Sequence, residues 1–448
     1  MSMDNVVTVV GGGLAGSEAA WQLAERGHRV VLHEMRPVRG TEAHKTDRLG
    51  ELVCSNTFKS TEVVNAHGLL KAEMRLLGSM VLECADGARV AAGSALAVDR
   101  ELFAAGVTER VVGHPNVTVV RKEVKEIPSP AIIATGPLTS DTLAEAIRSK
   151  LGVAGLAFYD AIAPIVARES IDDSVVFRAS RYDKETLQGA DGEGAYLNCP
   201  MDREQYEGFI DALIAADQYQ GHEFDSVPYF DGCMPVEEMT ARGRETLRFG
   251  PLKPVGLLDP RTGRQAYAVV QLRQEDRAGR MWNLVGFQTR LRIPEQQRVF
   301  RMIPGLEGGE FLRYGSIHRN SYVNAPAALT ACLGLRDYPR VLFAGQMTGV
   351  EGYTESTATG ILAGINMSRM LHGQEAVLPP PTTMLGALYR YLREADPAHF
   401  QPMNANFGLV DDLPVRVKDK RQKREAIAER ALRDMAVWSA VVGEVMVA

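Results

Sequence analysis

Two cysteines lie in polar, loop-like segments where a thiol could act as a nucleophile. Cys54 falls in the segment 51–57 and Cys233 in the segment 231–235. A thiolate can add covalently to an electron-poor ring when helix dipoles or cations lower its pKa. Each cysteine could instead serve packing, and this alternative is weaker for Cys233, which stands on no periodic apolar face. We therefore take Cys54 and Cys233 as candidate catalytic residues.

One histidine and two glutamates are further candidates. His318 lies in the segment 314–322, where stacking and hydrogen-bonding groups concentrate. It could stack on a planar ligand, and a structural histidine is the alternative. Glu351 and Glu355 fall on the predicted first turns of a helix, where they could transfer protons. Helix capping and compensation of the helix dipole are the alternative. Glu351 is our candidate general acid or base.

These side chains need a scaffold, and the N-terminal segment predicts one. An apolar run at 6–10 enters a glycine-rich turn and a helical pattern, and a second strand then ends at Glu34. This is the order of a dinucleotide-binding β-α-β unit, in which the helix N-terminus meets the pyrophosphate and the acid meets the ribose. Gly11 then permits the tight turn, Gly13 lets the backbone approach the pyrophosphate, and Gly16 lets helix and strand pack closely. A purely structural glycine turn is the alternative. The predicted cofactor contacts in this unit are Gly11, Gly12, Gly13, Leu14, Ala15, Gly16 and Glu34.

Two later segments, 97–136 and 341–370, also read as parts of a cofactor domain, because each combines a strand, a turn and a helix. The sequence has no second glycine-rich strand-turn-helix that could form a separate nicotinamide site. If the dinucleotide bound at the first turn is a flavin, a nicotinamide cofactor would therefore contact it only transiently. These segments add four predicted cofactor contacts, namely Arg100, Gly136, Gly345 and Gly352.

The middle of the chain has a different pattern. An amphipathic helical face at 206–214 is followed by the segment 265–273, which has turn signals on both sides. Together with the segment 281–287, it predicts an antiparallel meander. The expected fold is therefore α/β, a Rossmann-like FAD-binding domain with an inserted α+β domain that contains an antiparallel sheet. We predict the first part of the FAD-binding domain at 1–165, an inserted domain for the substrate tRNA at 166–294, and the second part of the FAD-binding domain at 295–448. This last segment ends in a basic helical tail.

Composition limits the class of protein. The chain has 448 residues, of which 45% are hydrophobic and 24% charged, and its formal net charge is −6 at pH 7. These values are typical of a globular protein with more than one domain. No apolar run approaches the roughly 20 residues of a membrane span, and the N-terminus does not resemble a secretion signal. Five cysteines without a C-x-x-C pair predict a cytoplasmic protein with no disulfide and no metal site. The oligomeric state stays open.

A basic cluster near the C-terminus could bind phosphates despite the negative net charge, because affinity depends on the local patch. A solvated helix face is the plainer explanation. Its candidate nucleic-acid contacts are Lys418, Lys420, Arg421, Lys423 and Arg424.

The sequence resembles the folate- and FAD-dependent tRNA (uracil-5-)-methyltransferases, bacterial enzymes that make ribothymidine in the tRNA T loop. The resemblance runs through nearly the whole chain and departs from the family pattern only in small details such as Ser321. Its motifs are Gly-Gly-Gly-Leu-Ala-Gly-Ser-Glu-Ala-Ala (11–20), His-Glu-Met-Arg-Pro (33–37), Val-Cys-Ser-Asn (53–56), Ala-Leu-Ala-Val-Asp-Arg (95–100), Ala-Thr-Gly-Pro-Leu-Thr-Ser (134–140), Tyr-Leu-Asn-Cys-Pro-Met (196–201), Phe-Gly-Pro-Leu-Lys-Pro-Val-Gly-Leu (249–257), His-Arg-Asn-Ser-Tyr (318–322) and Gly-Val-Glu-Gly-Tyr-Thr-Glu-Ser (349–356).

The resemblance implies a reaction and roles for these residues. FAD would carry a methylene from methylenetetrahydrofolate at its N5 to C5 of uracil, and NAD(P)H would supply the reducing equivalents. Cys54 and Cys233 match the two functional cysteines of the family, and we expect Cys54 beside the flavin and Cys233 near the uracil. Which of them attacks C6 stays open. His318 would stack on the pterin, and the basic cluster would contact tRNA.

Three other functions remain as alternatives. A related FAD-dependent enzyme modifies the tRNA wobble uridine, but its chains are considerably longer and have an extra helical domain. A flavin oxidoreductase acting on a small molecule, or an FAD-bearing RNA-binding protein without catalysis, would also share the glycine turn. The segment Val-Cys-Ser-Asn (53–56) argues against the wobble-uridine enzyme, and the presence of both loop cysteines argues against the protein without catalysis.

Overall fold

The structure, a computed structural model, describes residues 6–41, 43–151, 156–183, 194–219, 234–276 and 278–443, with the backbone alone for 156–162, 183, 316–321 and 399. The described strands, in chain order, are β1 (Val6–Val10), β2 (Arg29–Glu34), β3 (Thr57–Ser60), β4 (Arg89–Val90), β5 (Ala95–Val98), β6 (Val117–Arg121), β7 (Ala131–Ile133), β8 (Leu156–Ile162), β9 (Ile165–Ala167), β10 (Phe177–Arg178), β11 (Tyr196–Met201), β12 (Ala268–Gln274), β13 (Met281–Leu284), β14 (Phe311–Arg313), β15 (Ser316–Tyr322), β16 (Gly334–Leu335) and β17 (Tyr338–Phe343).

The described α-helices are α1 (Leu14–Glu25), α2 (Ala66–Leu76), α3 (Met80–Gly87), α4 (Arg100–Gly113), α5 (Asp141–Leu151), α6 (Arg203–Ala215), α7 (Val236–Ala241), α8 (Thr246–Phe249), α9 (Ile293–Phe300), α10 (Ala325–Ala328), α11 (Tyr353–Leu371), α12 (Met384–Glu394) and α13 (Lys420–Gly443). Short 3-10 helices lie at Arg168–Ser170, Arg181–Asp183, Gly345–Thr348 and Pro397–His399. Within the described ranges, no helix combines the length and apolar character that a membrane crossing requires.

A parallel sheet carries the glycine turn. Its strands lie in the order β16-β17-β7-β1-β2-β6, and the five from β17 to β6 pair in parallel while β16 is antiparallel. The valine-rich β1 is central, between β2 and β7, as expected for a strand buried inside a parallel sheet. Helix α1 crosses over from β1 to β2. The carboxyl ends of β1, β2 and β7 therefore meet at one edge, where ligands bind in such folds.

A second, antiparallel sheet has the strand order β10-β11-β12-β13-β9-β14. The chain enters it after β8 and leaves it before β15, and these two strands pair antiparallel as a two-stranded connection. The predicted fold class, an α/β cofactor fold with an inserted antiparallel sheet, is confirmed. The core of the second sheet extends from Val166 to Phe311 and includes Phe300 of α9. We therefore propose that the insertion ends after β14, about 20 residues beyond the predicted boundary at 294.

The C-terminal helices pack on the cofactor domain. One continuous core joins Val7 of β1 to Met435 and Trp438 of α13. Because α13 buries an apolar side, the basic residues near its start are carried by a docked helix rather than by a free tail. A small antiparallel sheet has the order β3-β5-β4 and contributes Phe58, Leu96 and Val98 to this core. The Ala92 carbonyl oxygen, between β4 and β5, accepts from the Tyr196 hydroxyl of the second sheet at 3.1 Å.

Candidate functional site

Two glycines of the turn between β1 and α1 are required by packing. Gly11 has a φ of +103°, and a Cβ there would lie 2.5 Å from the carbonyl oxygen of Ala134. A Cβ at Gly16 would lie 1.8 Å from the carbonyl oxygen of Gly11. Real Cβ atoms cannot approach backbone this closely. The roles that the sequence predicts for Gly11 and Gly16, a tight turn and close helix–strand packing, therefore agree with the structure.

Gly13 plays a different part. It is the N-cap of α1, it has no side-chain cap hydrogen bond, and a Cβ built on it would meet no described heavy atom within 4 Å. The first turn of α1 contains no acidic residue. Its unpaired N–H groups therefore face open space with the positive end of the helix dipole, which is the arrangement that binds a pyrophosphate.

That open space is a cavity of about 1030 Å³ that continues into solvent. It extends from β2 past the start of α1 to the start of α11. Its lining includes residues from the glycine turn and from the two later segments that the sequence assigned to the cofactor. The predicted contacts that line it are Gly11, Gly12, Gly13, Leu14, Ala15, Glu34, Gly136 and Gly345.

Glu34 is held in a buried ion pair. Both of its carboxylate oxygens accept hydrogen bonds from the Arg36 guanidinium, at 3.0 and 3.1 Å, and Oε2 also accepts from the Gly12 N–H at 3.0 Å. Burial acts to raise the pKa of Glu34, but the hydrogen bonds and charge of Arg36 outweigh it and lower that pKa. Arg36 also binds Glu51 at 2.9 Å. The carboxylate is therefore charged and oriented toward the turn, and its oxygens can accept hydrogen bonds from ribose hydroxyls.

Helix α11 closes the opposite end of the cavity. It packs on α1 through two glycines, since a Cβ at Gly360 would lie 2.3 Å from the Ala15 carbonyl oxygen and one at Gly364 would lie 2.7 Å from Gln22 Cβ. Its N-cap is Gly352, with a φ of +115°. Gly352 is absent from the described lining, whereas Tyr353, the next residue, belongs to it.

Tyr353 also holds the segment that contains Cys54. The N–H groups of Cys54 and Ser55 donate to the Tyr353 hydroxyl oxygen at 2.8 and 3.0 Å. The side chain of Cys54 is partly exposed, and its neighbour Val53 lines the cavity. Burial raises the pKa of Tyr353, so its hydroxyl stays protonated. The loop with Cys54 thus adjoins the end of the cavity at α11.

Arg100, a predicted cofactor contact, is bonded to other parts of the protein. It is the first residue of α4, and its guanidinium binds Glu275 at 2.7 Å and the carbonyl oxygens of Leu52 and Cys54. It is not among the described residues that line the cavity. Its predicted contact with the cofactor stays a prediction, and its described partners belong to the protein.

The glutamates at the start of α11 are also placed differently. Because α11 begins at Tyr353, Glu351 precedes the N-cap, and the prediction that it lies on the helix is wrong. Glu351 is 7% exposed, and its N–H donates to the Met403 carbonyl oxygen at 2.9 Å. Glu355 does lie in the first turn, where it accepts from His67 at 3.0 Å and from the Ala405 N–H at 2.9 Å. Glu355 is thus engaged in structural hydrogen bonds.

For two predicted site residues, Cys233 and His318, the side chain lies outside the described part of the structure. Cys233 lies outside the described residues. For His318 the structure gives the backbone, which pairs with Asp160 in the two-stranded connection. Lys418 precedes α13, and the other four predicted tRNA contacts lie in its first turns. Within the described part of the chain, no group of three or more His, Cys, Asp or Glu side chains could hold a metal ion.

The remaining described cysteines differ from Cys54. Burial raises the pKa of Cys84 to about 11, and it raises that of Cys199 as well. The four described cysteines form no disulfide with one another. Sequence reasoning missed Arg36 and Tyr353 as parts of the site. Both lie in motifs that carry the family resemblance, 33–37 and 349–356, and this position was the signal that the sequence offered.

Comparison with known proteins agrees with this geometry. A profile of the family described as glucose inhibited division protein A matches residues 6–375. A solved structure of Aquifex aeolicus GidA has a TM-score of 0.71 at 17% identity and covers 98% of this chain and 76% of its own, so it shares the fold.

Two curated relatives are much more similar in sequence. The protein named methylenetetrahydrofolate--tRNA-(uracil-5-)-methyltransferase TrmFO from Geobacter sulfurreducens is 56% identical over 98% of this chain and 100% of its own. The protein of the same name from Desulforudis audaxviator is 56% identical over 99% and 100%. With a GidA-type fold, a dinucleotide cavity and 56% identity over 98% of its residues, the chain belongs to the methylenetetrahydrofolate--tRNA-(uracil-5-)-methyltransferase family.

Proposed function

We propose that this protein is an FAD-dependent enzyme that methylates C5 of uracil in tRNA, with methylenetetrahydrofolate as the carbon donor. The observation that carries the proposal is 56% identity with a relative of this name, over 98% of this chain and 100% of the relative. The cavity and the adjoining Cys54 loop are consistent with it.

The residues of the cavity fit FAD. Gly13 leaves room at the N-terminus of α1 for a pyrophosphate, and Glu34 lies beside it with its carboxylate held by Arg36. Tyr353 and Gly345 line the other end, where the N-terminus of α11 would favour negative charge. When bound, FAD would supply the redox chemistry that converts a transferred methylene into a methyl group. The residues of the chain would bind and orient FAD and the uracil.

We assign the two functional cysteines to different tasks. Methylation at C5 requires a nucleophile that adds reversibly at C6, which a thiolate can provide. We propose Cys54 beside the flavin, because the Tyr353 hydroxyl holds its backbone next to the cavity, and Cys233 at the uracil. Replacing each by alanine and probing for a covalent RNA adduct tests this. Cys199, which is fully buried in β11, is a matched control. An adduct that survives Cys233→Ala would overturn the assignment.

His318 is our proposed stacking partner for the pterin, since folate must lie close to the flavin for carbon transfer. The change His318→Ala should weaken the use of methylenetetrahydrofolate and leave FAD bound. Unchanged dependence of the rate on folate concentration would contradict this role.

Glu351 remains our candidate acid or base. It is buried two residues before Tyr353, and its backbone is fixed by the Met403 carbonyl. The variant Glu351→Gln keeps the shape and removes the ionisation. It should lower kcat and remove one limb of the pH–rate profile, and an unaltered profile would exclude the role.

The basic residues at the start of α13 are our proposed tRNA contacts. Arg421 pairs with Glu425 and Lys423 with Asp412, whereas Lys418 and Lys420 are exposed. Positive residues at a helix N-terminus oppose the helix dipole, so their placement costs stability and favours a use in phosphate binding. We further propose the T loop as the target, NAD(P)H as the reductant and the cytoplasm, where tRNA is modified, as the location.

One assay tests the proposed function directly. The purified protein is incubated with unmodified tRNA, labelled methylenetetrahydrofolate and NADPH, and the RNA is digested to nucleosides. Label in 5-methyluridine from the T loop, lost when the target uridine is replaced by cytidine, supports the proposal. NADPH oxidation without labelled RNA would refute it in favour of a small-molecule oxidoreductase, and label at the wobble position would favour the related modification enzyme.

A further inference from the structure

The Cys54 loop, defined here as residues 51–56, is held by side chains from distant parts of the chain. Arg100 donates to the carbonyl oxygens of Leu52 and Cys54, at 2.7 and 3.2 Å. Arg313 of β14 donates to the intervening Val53 carbonyl oxygen at 2.9 Å. Three successive carbonyl groups are therefore bonded to two guanidinium groups from separate elements.

The second sheet in turn orients Arg100. Glu275, directly after β12, accepts from Arg100 Nε at 2.7 Å and from Nη2 at 3.4 Å. The side chain of Glu275 is 2% exposed and that of Arg100 is 17% exposed. Loss of one member of such a buried pair leaves the other charge uncompensated, so the pair strongly favours a single geometry.

Asn56, at the end of the Cys54 loop, also bonds to the second sheet. Its amide nitrogen donates to the Gln274 carbonyl oxygen at 2.8 Å and to the Val98 carbonyl oxygen at 3.0 Å. Its amide oxygen accepts from Arg273 Nε at 2.8 Å. Asn56 is fully buried. Both ends of the Cys54 loop are thus bonded, directly or through Arg100, to the residues 273–275 of the second sheet.

We propose that Arg100 and Glu275 are positioning residues for Cys54, and that their ion pair fixes the Cys54 loop against the second sheet. The inference rests on the proposed role of Cys54 in the reaction. Arg100 acts through the backbone carbonyl of Cys54, and Glu275 acts through Arg100. The insertion that we expect to meet the substrate thereby holds the loop that carries a reacting group. A misplacement of about 1 Å at such a group can cost on the order of 100-fold in rate.

The test measures the reactivity of Cys54 in the full-length protein. The rate of alkylation by iodoacetamide is followed by peptide mass spectrometry from pH 6 to 10 in wild type, Glu275→Ala and Glu275→Gln. The matched control is Asp259→Asn, which removes another nearly buried carboxylate paired with an arginine, Arg261, in the second sheet region. The rate at the high-pH plateau reports the access to a fully ionised thiol, whereas a shift of the profile along the pH axis reports a changed thiol pKa.

We expect Glu275→Ala to raise the plateau rate at Cys54 at least about threefold, because the loop loses its fixed anchor. Glu275→Gln keeps a hydrogen-bond acceptor for Arg100, so its plateau rate should lie between those of wild type and Glu275→Ala. The plateau rate of Asp259→Asn should match that of wild type. In methylation assays Glu275→Ala should lower kcat about tenfold or more with less than about a twofold change in KM for tRNA. If Glu275→Ala does not fold, the alkylation plateau at Cys54 is measured in Glu275→Gln and Asn56→Ala instead.

An unchanged alkylation plateau in Glu275→Ala, or in both replacement variants, would overturn the proposal. The alkylation rates do not depend on methyl transfer. Wild-type protein without methyltransferase activity would therefore refute the proposed function and leave this test intact. Loss of methylation with wild-type Cys54 reactivity would refute the positioning role alone.

Discussion

Replacing Gly13 by alanine should separate cofactor binding from folding. Gly13 has a φ of −75° and a ψ of −168°, which alanine adopts without strain, and the added Cβ would meet no described heavy atom within 4 Å. The methyl group would project into the cavity at the N-terminus of α1, where the pyrophosphate of FAD should approach the backbone. Gly16→Ala is the matched comparison, because its Cβ would lie 1.8 Å from the Gly11 carbonyl oxygen.

The expected magnitudes follow from these contacts. As an N-cap, alanine is poorer than glycine, so Gly13→Ala should lower the free energy of unfolding of the apoprotein by at most about 1 kcal/mol. Overpacking of the binding surface costs about 1–3 kcal/mol, which raises the Kd for FAD about 5- to 150-fold. Gly16→Ala must move α1 away from the turn, and it should cost the apoprotein more than about 3 kcal/mol.

The assay uses protein from which FAD has been removed. The Kd is measured by titration with FAD and the quenching of flavin fluorescence, and the free energy of unfolding by urea denaturation without FAD. Gly13→Ala with a Kd within twofold of wild type would refute the assignment of the open space to the pyrophosphate. Equal stability of the Gly16→Ala and Gly13→Ala apoproteins would refute the packing argument.

Three further predictions concern charge. Arg36→Met leaves the buried Glu34 without its cation and should lower the free energy of unfolding by about 3–5 kcal/mol, measured by urea denaturation; a loss below about 1 kcal/mol would contradict the buried pair. Burial raises the pKa of Glu73 from an ordinary 4.5 to about 8, so the folded protein keeps a proton that the unfolded chain releases between these values. The free energy of unfolding should therefore fall as pH rises from about 4.5 to about 8, and Glu73→Gln should flatten that dependence; an equally steep dependence would exclude Glu73. Replacing Lys418 and Lys420 by glutamine should reduce the slope of log K for tRNA against log salt concentration by about 1–2, and an unchanged slope would remove them from the interface.

The β-α-β unit could be predicted nearly to the residue. Strand β1, helix α1 and strand β2 follow from an apolar run, a helical repeat and a second apolar run that are adjacent in sequence. Gly11 and Gly16 could be assigned roles because a missing Cβ is a property of the residue itself. Gly360 of α11 likewise permits the close packing on α1, although the sequence alone does not name α1 as the partner.

The start of α11 and the role of Arg100 could not be predicted. The helical pattern of the sequence does not show whether α11 begins at Glu351 or at Tyr353. The start of the helix is decided by Gly352, which has a φ of +115°, and by the hydrogen bond from the Glu351 N–H to the Met403 carbonyl oxygen. Arg100 follows a strand of the cofactor segment, which suggested a cofactor contact. Its carboxylate partner, Glu275, is 175 positions away.

The sequence by itself determined the dinucleotide turn, the fold class and the family, because these depend on local backbone requirements and on motifs that can be read in order. Only the tertiary structure decided which groups bind the Cys54 loop, and that the basic segment belongs to a docked helix, α13. An arginine can pair with any carboxylate that packing brings within hydrogen-bond distance. That choice depends on how the second sheet lies against α4, and local sequence does not contain it.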